Sequence, residues 1–339
     1  MHEEQLVSTA QRLVAPRKGI LAADESTGTI TRRLDSIHVP STEATRQAYR
    51  EMLFTTPGVE AFISGVILYE ETLGQATSDK VPFPDYLTSR GIIPGIKVDV
   101  GAQKMALFPN ELVTEGLDGL RGRLSEYYAR GARFAKWRAV ITIGDGIPSE
   151  ACIDANAHAL ARYAALCQEA GIVPIVEPEV LMDGAHDIER CAAVTAQTLN
   201  CVYDWLWRMR VLLEGTLLKP NMVLPGAASG QTAEPEAVAA ATLEVLKRCV
   251  PAAVPGIVFL SGGQSAEEAT ANLSAMNAMG PAPWELSFSY GRALQQPSLS
   301  AWGGKKENVP LAQALFAKRA KLNGAAREGT YAAAMEDAG

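Results

Sequence analysis

Little in this 339-residue sequence invites metal, disulfide or membrane chemistry. Histidine is scarce, and His2, His38, His158 and His186 are the only four. None is paired at a ligand spacing and none closes an expected strand, so no metal centre is expected. His186 lies in a polar MDGAHD stretch that reads as turn chemistry. The five cysteines, Cys152, Cys167, Cys191, Cys201 and Cys249, are odd in number and include no C-x-x-C pair. That excludes both a disulfide framework and a zinc knuckle. Four of them fall in stretches of helical spacing, where a small buried hydrophobe is the commoner role. There is no uncharged apolar run of about 20 residues, so no membrane span is expected. The start, MHEEQLVSTAQRL, has no basic segment followed by an apolar one, so no secretory signal is expected. A G-x-x-x-x-G-K-[ST] loop is also missing, and no nucleotide cofactor is expected. Lys and Arg number 31 against 38 Asp and Glu, which argues against a basic stripe for nucleic acid. A net charge of −7 is too small for disorder when 47% of residues are hydrophobic. The expectation is a soluble, cytoplasmic chain of enzyme size.

What is present is alternation. Short apolar runs at Gly19–Ala23, Phe62–Tyr69, Ile92–Lys97, Arg133–Arg138, Ile172–Glu177, Leu213–Lys219, Ile257–Leu260 and Glu285–Ser289 are candidate strands. Between them lie stretches of helical spacing such as Pro148–Glu169 and Pro235–Cys249. Strands alternating with helices imply a parallel sheet, and eight of them close a (β/α)₈ barrel. With no Pro/Gly/Ser-rich linker to divide it, residues 1–339 are expected to form a single α/β domain with flanking terminal segments. From about residue 305 a C-terminal helix and a mobile tail are expected. Lys97, Lys136, Glu177, Lys219 and Ser261 recur at intervals of 39, 41, 42 and 42 positions. Each follows an apolar run, so each is expected at the C-terminal mouth of its strand, where barrel active sites are built.

Three groups of residues carry chemistry. In EGTLLKPNM, Lys219 ends an apolar run and precedes Pro220. A lysine of ordinary pKa, about 10.4, is almost fully protonated at neutral pH, so a reactive amine needs an apolar setting or a nearby cation. FAKWR places Lys136 and Arg138 on one face of a strand, and VEPE does the same for Glu177 and Glu179. Because the fourth, fifth and sixth candidate strands are neighbours, Lys136, Glu177 and Lys219 share one space. A lysine nucleophile, a second ammonium and a carboxyl group suit Schiff-base formation on a ketone. A structural salt-bridge cluster filling the mouth is the alternative. In ILAADESTGT, Asp24 follows the first strand as a candidate base, while Ser26, Gly28 and Thr29 could receive a phosphate at a helix start or form an ordinary N-cap. Finally, FLSGGQS offers Ser261, Gly262 and Gly263, and FSYGR offers Ser289, Gly291 and Arg292. Backbone amides and an arginine in consecutive units form a candidate phosphate site after the last two strands.

These motifs, with GIKVD and AWGGKKEN, closely resemble class I fructose-bisphosphate aldolase, the metal-free Schiff-base family. The resemblance runs in order from about Ala10 to Asn308. It implies reversible cleavage of fructose 1,6-bisphosphate into dihydroxyacetone phosphate and glyceraldehyde 3-phosphate, with no cofactor. It casts Lys219 as the imine-forming lysine, Glu177 as the acid/base that expels water, Asp24 as the carboxylate that assists C3–C4 cleavage, and Lys136 as the cation that places the substrate hydroxyls. Glu179 and Arg138 would orient the lysine pair. Ser261, Gly262, Gly263, Ser289, Gly291 and Arg292 would hold the C1 phosphate. Ser26, Thr29 and Lys97 would face the C6 phosphate, although Thr29 stands where the family has serine, and Arg32–Arg33 where it has Lys-Arg. Family members commonly assemble as homotetramers, so a homo-oligomer with no nucleic-acid or membrane partner is implied. Many members end in a tyrosine that assists proton transfer. The present sequence ends EGTYAAAMEDAG, and Tyr331 matches an internal tyrosine. Another Schiff-base barrel enzyme would not need both phosphate clusters, and a purely scaffolding role would not need Lys219, Glu177 and Asp24.

Overall fold

Residues 2–337 are described in a computed structural model of the chain; Ala338 and Gly339, the end of the expected tail, lie outside them. Ten strands are described: β1 Gly19–Ala23, β2 Ile63–Leu68, β3 Ile93–Lys97, β4 Gly101–Lys104, β5 Leu112–Glu115, β6 Phe134–Ile141, β7 Val173–Val180, β8 Leu217–Leu218, β9 Gly256–Phe259 and β10 Glu285–Tyr290. Eight of them close a parallel barrel in the order β1-β10-β9-β8-β7-β6-β3-β2. The expected (β/α)₈ architecture is therefore the observed one.

Three strands differ from their expected bounds by more than one residue at an end. β6 and β7 stay in register from Phe134↔Val173 to Ile141↔Val180, past the expected ends at Arg138 and Glu177. Pro178 reads as a stop in sequence, yet it removes only one N–H, and the ladder resumes with Leu181 N–H donating to the Ile141 carbonyl at 2.9 Å. Lys136 and Glu177 therefore sit inside the barrel rather than at strand ends. The sixth strand shrinks in the opposite direction. Leu213–Gly215 is a 3₁₀ turn, and only Leu217–Leu218 pair in the sheet. Lys219 still donates its N–H to the Val176 carbonyl at 2.8 Å, but Pro220 has no N–H to continue the ladder. The lysine is thereby fixed at the terminus of β8.

The helix expected over Pro148–Glu169 begins at Glu150, because the Ser149 hydroxyl accepts from Cys152 N–H and caps it. The helix at Pro235–Cys249 has the expected bounds. All five cysteines lie on helices as free thiols, four of them buried. One element was not expected: the antiparallel hairpin β4–β5, too short and polar to stand out. Thr114 within it donates its hydroxyl to the Arg138 carbonyl at 2.7 Å, which fixes the backbone of β6 where that strand enters the mouth. The segment after residue 305 contains the helix Val309–Arg327 and a short 3₁₀ turn at Ala333–Glu336.

The lower half of the barrel is a plug. The N-terminal helix Glu3–Leu13 contributes Leu6, Ala10 and Leu13, which cluster with Ile20, Ile67, Phe134, Ile175, Leu217 and Val258 from the strands. Phe134 fits only because Gly95 faces it. A Cβ at Gly95 would lie 2.3 Å from the Phe134 ring, inside van der Waals contact. Gly95→Ala is expected to cost about 1–3 kcal/mol of stability by overpacking. The measurement is the urea midpoint, and adding Phe134→Leu should recover part of the loss. An undiminished midpoint for Gly95→Ala alone would contradict this packing.

Candidate active site

The upper half of the barrel opens into a cavity of about 540 Å³. Most of the residues singled out from the sequence line it: Asp24, Ser26 and Thr29 after β1, Lys97 from β3, Lys136 and Arg138 from β6, Glu177 and Glu179 from β7, Lys219 after β8, Ser261–Gly263 after β9, and Ser289, Gly291 and Arg292 from β10 and the turn beyond it, whereas Gly28 and Arg32 do not. The parity argument holds on both long strands, since residues two apart share the inner face.

At the floor, charges alternate in an unbroken row. Lys136 Nζ lies 2.7 Å from Asp24 Oδ2 and 3.2 Å from Glu177 Oε2. Glu177 Oε1 in turn lies 3.1 Å from Lys219 Nζ. Lys136, Glu177 and Lys219 are each at most 4% exposed. Burial alone would raise the Asp24 carboxyl pKa, but the Lys136 and Lys219 ammoniums outweigh it and hold the group far below the usual carboxylate range. Glu177 follows the same logic: burial raises it, Lys136 and Lys219 lower it more, and the net direction is down. Lys136 is pushed well up, because Asp24 and Glu177 overcome its desolvation. These directions favour a charged Lys136 and ionised carboxyls on both sides of it. Beside this row, Arg138 pairs with Glu179.

Two ends of the cavity present donors. Ser261 is followed by Gly262 and Gly263 at φ +54° and +98°, a left-handed pair that side chains would strain. Among the described residues, the N–H groups of Ser261, Gly262 and Gly263 meet no acceptor. A Cβ at Gly263 would lie 3.8 Å from Arg292 Nη2, so this guanidinium converges on the turn. Arg292 makes no ion pair among the described residues, and it opens the helix Arg292–Trp302, whose N-terminal amides also favour an anion. The Ser289 hydroxyl, buried in the same wall, has no partner among the described residues. Opposite, the helix Thr27–Asp35 starts after Ser26, whose hydroxyl does not cap it but meets Thr29 Oγ1 at 3.3 Å. Its first amides are left for an anion. Arg32 also reaches Thr29 Oγ1 at 3.3 Å, whereas Arg33 turns inward to the cavity and pairs with Glu25.

Some functional neighbours escaped the sequence reading. Glu25 is buried between Arg33 and Arg50, with Arg50 Nη2 at 2.7 Å, and braces the loop that carries Asp24. Asp99 accepts from Lys97 Nζ at 2.5 Å and from the Gly101 and Arg138 amides at 3.2 Å each. The only sequence signal for either was adjacency to a chosen residue, Asp24 in one case and the Lys-x-Asp of GIKVD in the other. Tyr331 lies away from the substrate cavity: its hydroxyl donates to Glu336 at 2.9 Å and it lines a separate groove on the outer face. Among the described residues, no cluster of three or more His, Cys, Asp or Glu side chains could hold a metal ion.

Comparison with known proteins places this geometry. The family model for fructose-bisphosphate aldolase class-I matches residues 5–339. The chain is 57% identical over 332 residues to a probable fructose-bisphosphate aldolase class 1 of Xanthomonas axonopodis pv. citri, covering 98% of this chain and 99% of that one. It is 58% identical over 329 residues to the cytosolic fructose-bisphosphate aldolase 6 of Arabidopsis thaliana, covering 97% and 92%. A solved fructose-bisphosphate aldolase from Plasmodium falciparum, in complex with TRAP and a small-molecule inhibitor, superposes with a TM-score of 0.96 at 51% identity, covering 98% and 96%.

The buried row makes a pH prediction. A carboxyl whose folded pKa is lowered contributes stability above its unfolded value, and that contribution is lost as pH falls toward the folded value. Asp24→Asn should therefore cost about 2 kcal/mol at pH 7, as for a lost charge-assisted hydrogen bond. The gap from wild type should close as pH drops below about 4. Urea titrations across that range measure it, and a gap that ignores pH would contradict the assignment.

Proposed function

The chain belongs to the class-I fructose-bisphosphate aldolase family, and from that premise we propose how its own residues divide the work of cleaving fructose 1,6-bisphosphate through a lysine Schiff base. The enzyme is a lyase that needs no metal. The observation that carries the assignment of roles is the unbroken row Asp24–Lys136–Glu177–Lys219.

Lys219 is the nucleophile. Its proton passes to Glu177 across 3.1 Å, which frees the amine and converts the carboxylate into an acid in one step. The amine adds to the C2 ketone, and Glu177 returns the proton to the departing hydroxyl, which leaves as water. The resulting iminium draws electrons from the C3–C4 bond. Asp24, ionised at neutral pH, accepts the C4 hydroxyl proton as that bond breaks. The aldehyde departs, and the electron pair is stored as an enamine on Lys219. Lys136, which stays charged throughout, orients the substrate hydroxyls between the two carboxylates. Glu179 and Arg138, paired with each other, hold the upper edge of β6 and β7.

The two phosphates take the donor-rich ends. The C1 phosphate binds the Ser261–Gly263 turn, Ser289, Gly291 and Arg292; the C6 phosphate faces Ser26, Thr29 and Lys97. Arg292 supports the first placement as the cavity cation with no carboxylate partner among the described residues. One barrel domain over residues 1–339, a cytoplasmic location and a homotetramer complete the reading. Among the described residues no helix is long and apolar enough to cross a membrane. Leu107, at the turn of the β4–β5 hairpin, is 98% exposed and suits a contact between subunits.

Product release in a coupled assay containing EDTA tests the roles. Wild-type cleavage should be unaffected by the chelator. Lys219→Ala should lose it entirely while its circular dichroism stays native. Asp24→Asn should fall by about 10²- to 10⁴-fold in kcat. Substantial cleavage by Lys219→Ala would overturn the mechanism.

A further inference from the structure

The turn after β9 is held from behind by two buried amides outside the substrate cavity. Gln264 and Asn272 are 6% and 5% exposed, and both line the outer groove between the helices Pro235–Cys249 and Ala266–Ala278. Gln264 Nε2 donates to the Ser261 carbonyl at 2.8 Å, and its backbone N–H donates to the same oxygen at 3.0 Å. Asn272 Nδ2 donates to Gln264 Oε1 at 2.7 Å. The polarity of this relay is set by chemistry. A carbonyl only accepts, so the Gln264 nitrogen must face Ser261, its oxygen must face Asn272, and Asn272 must present its nitrogen.

Asparagine is a weak helix former, and an unpaired buried amide is costly. Its place inside the helix Ala266–Ala278 therefore calls for a partner, and Gln264 is one. The consequence reaches the cavity through peptide geometry. In a planar trans peptide, C=O and the following N–H point in opposite directions. Drawing the Ser261 carbonyl outward to Gln264 turns the Gly262 N–H inward.

We propose that Gln264 and Asn272 are positioning residues that aim the Gly262 N–H at the ketose phosphate. This rests on the reading that the Ser261–Gly263 turn and Arg292 hold that phosphate. The helix Ala266–Ala278 cannot aim its own N-terminus there, because Ser265 and Glu268 close it with a capping box.

Aldol condensation separates the two phosphates, since dihydroxyacetone phosphate carries one and glyceraldehyde 3-phosphate the other. KM for each would be measured in wild type, Gln264→Leu, Asn272→Ala and Arg292→Ala, alongside Tm. Gln264→Leu should raise KM for dihydroxyacetone phosphate roughly five- to tenfold and leave that for glyceraldehyde 3-phosphate unmoved. Asn272→Ala should do the same to a smaller extent. If Gln264→Leu does not fold, Gln264→Met serves, since it keeps the length of the side chain but cannot donate to the Ser261 carbonyl. A selective effect of Arg292→Ala without one from Gln264 and Asn272, or a parallel rise in both KM values, would reduce the relay to packing. If Arg292→Ala also spares dihydroxyacetone phosphate, the placement of the ketose phosphate fails, and the inference with it.

Discussion

The Lys136 ammonium, held between Asp24 and Glu177, is the contact on which the rest of the site depends. Asp24, Lys136, Glu177 and Lys219 are packed almost out of water at the floor of the cavity. Desolvating each costs several kcal/mol, and the cost is offset only while cations and carboxylates alternate. Remove one and a neighbour is left buried and uncompensated. The same alternation produces the chemistry. Lys136 keeps both flanking carboxylates ionised, one to receive a proton during carbon–carbon cleavage and the other to receive one from Lys219. Lys136, with Lys219 adding to it, therefore lowers the pKa of base and acid together.

The fold brings side chains from four strands to one point. β6, β7 and β8 are consecutive around the barrel and deliver Lys136, Glu177 and Lys219, while β1 delivers Asp24. Apolar layers below, plugged by the N-terminal helix and packed to the limit at Gly95 and Phe134, close the lower end and give the charged row a rigid base.

Much of this was legible because it is periodic. A polar residue at the end of five successive apolar runs, about 40 positions apart, announces a barrel mouth, and parity along FAKWR and VEPE puts the right side chains on the inner face. Boundaries were less legible, since Pro178 reads as a strand end while the β6 ladder carries β7 through it. Contacts that depend on distant partners were not legible at all. Glu25 finds Arg50, Asp99 finds the Arg138 amide, and Gln264 acts on a backbone carbonyl that has no side-chain signature. The tail tyrosine shows the opposite limit: motif matching locates Tyr331, but only the structure ties it to Glu336 on the outer face.

The central claim is that Lys219, among all the lysines, forms the covalent bond. Borohydride reduction in the presence of dihydroxyacetone phosphate, followed by peptide mass mapping, tests it most directly. One stable adduct is expected, on the peptide containing Lys219. No adduct, or an adduct on Lys136 instead, would contradict it.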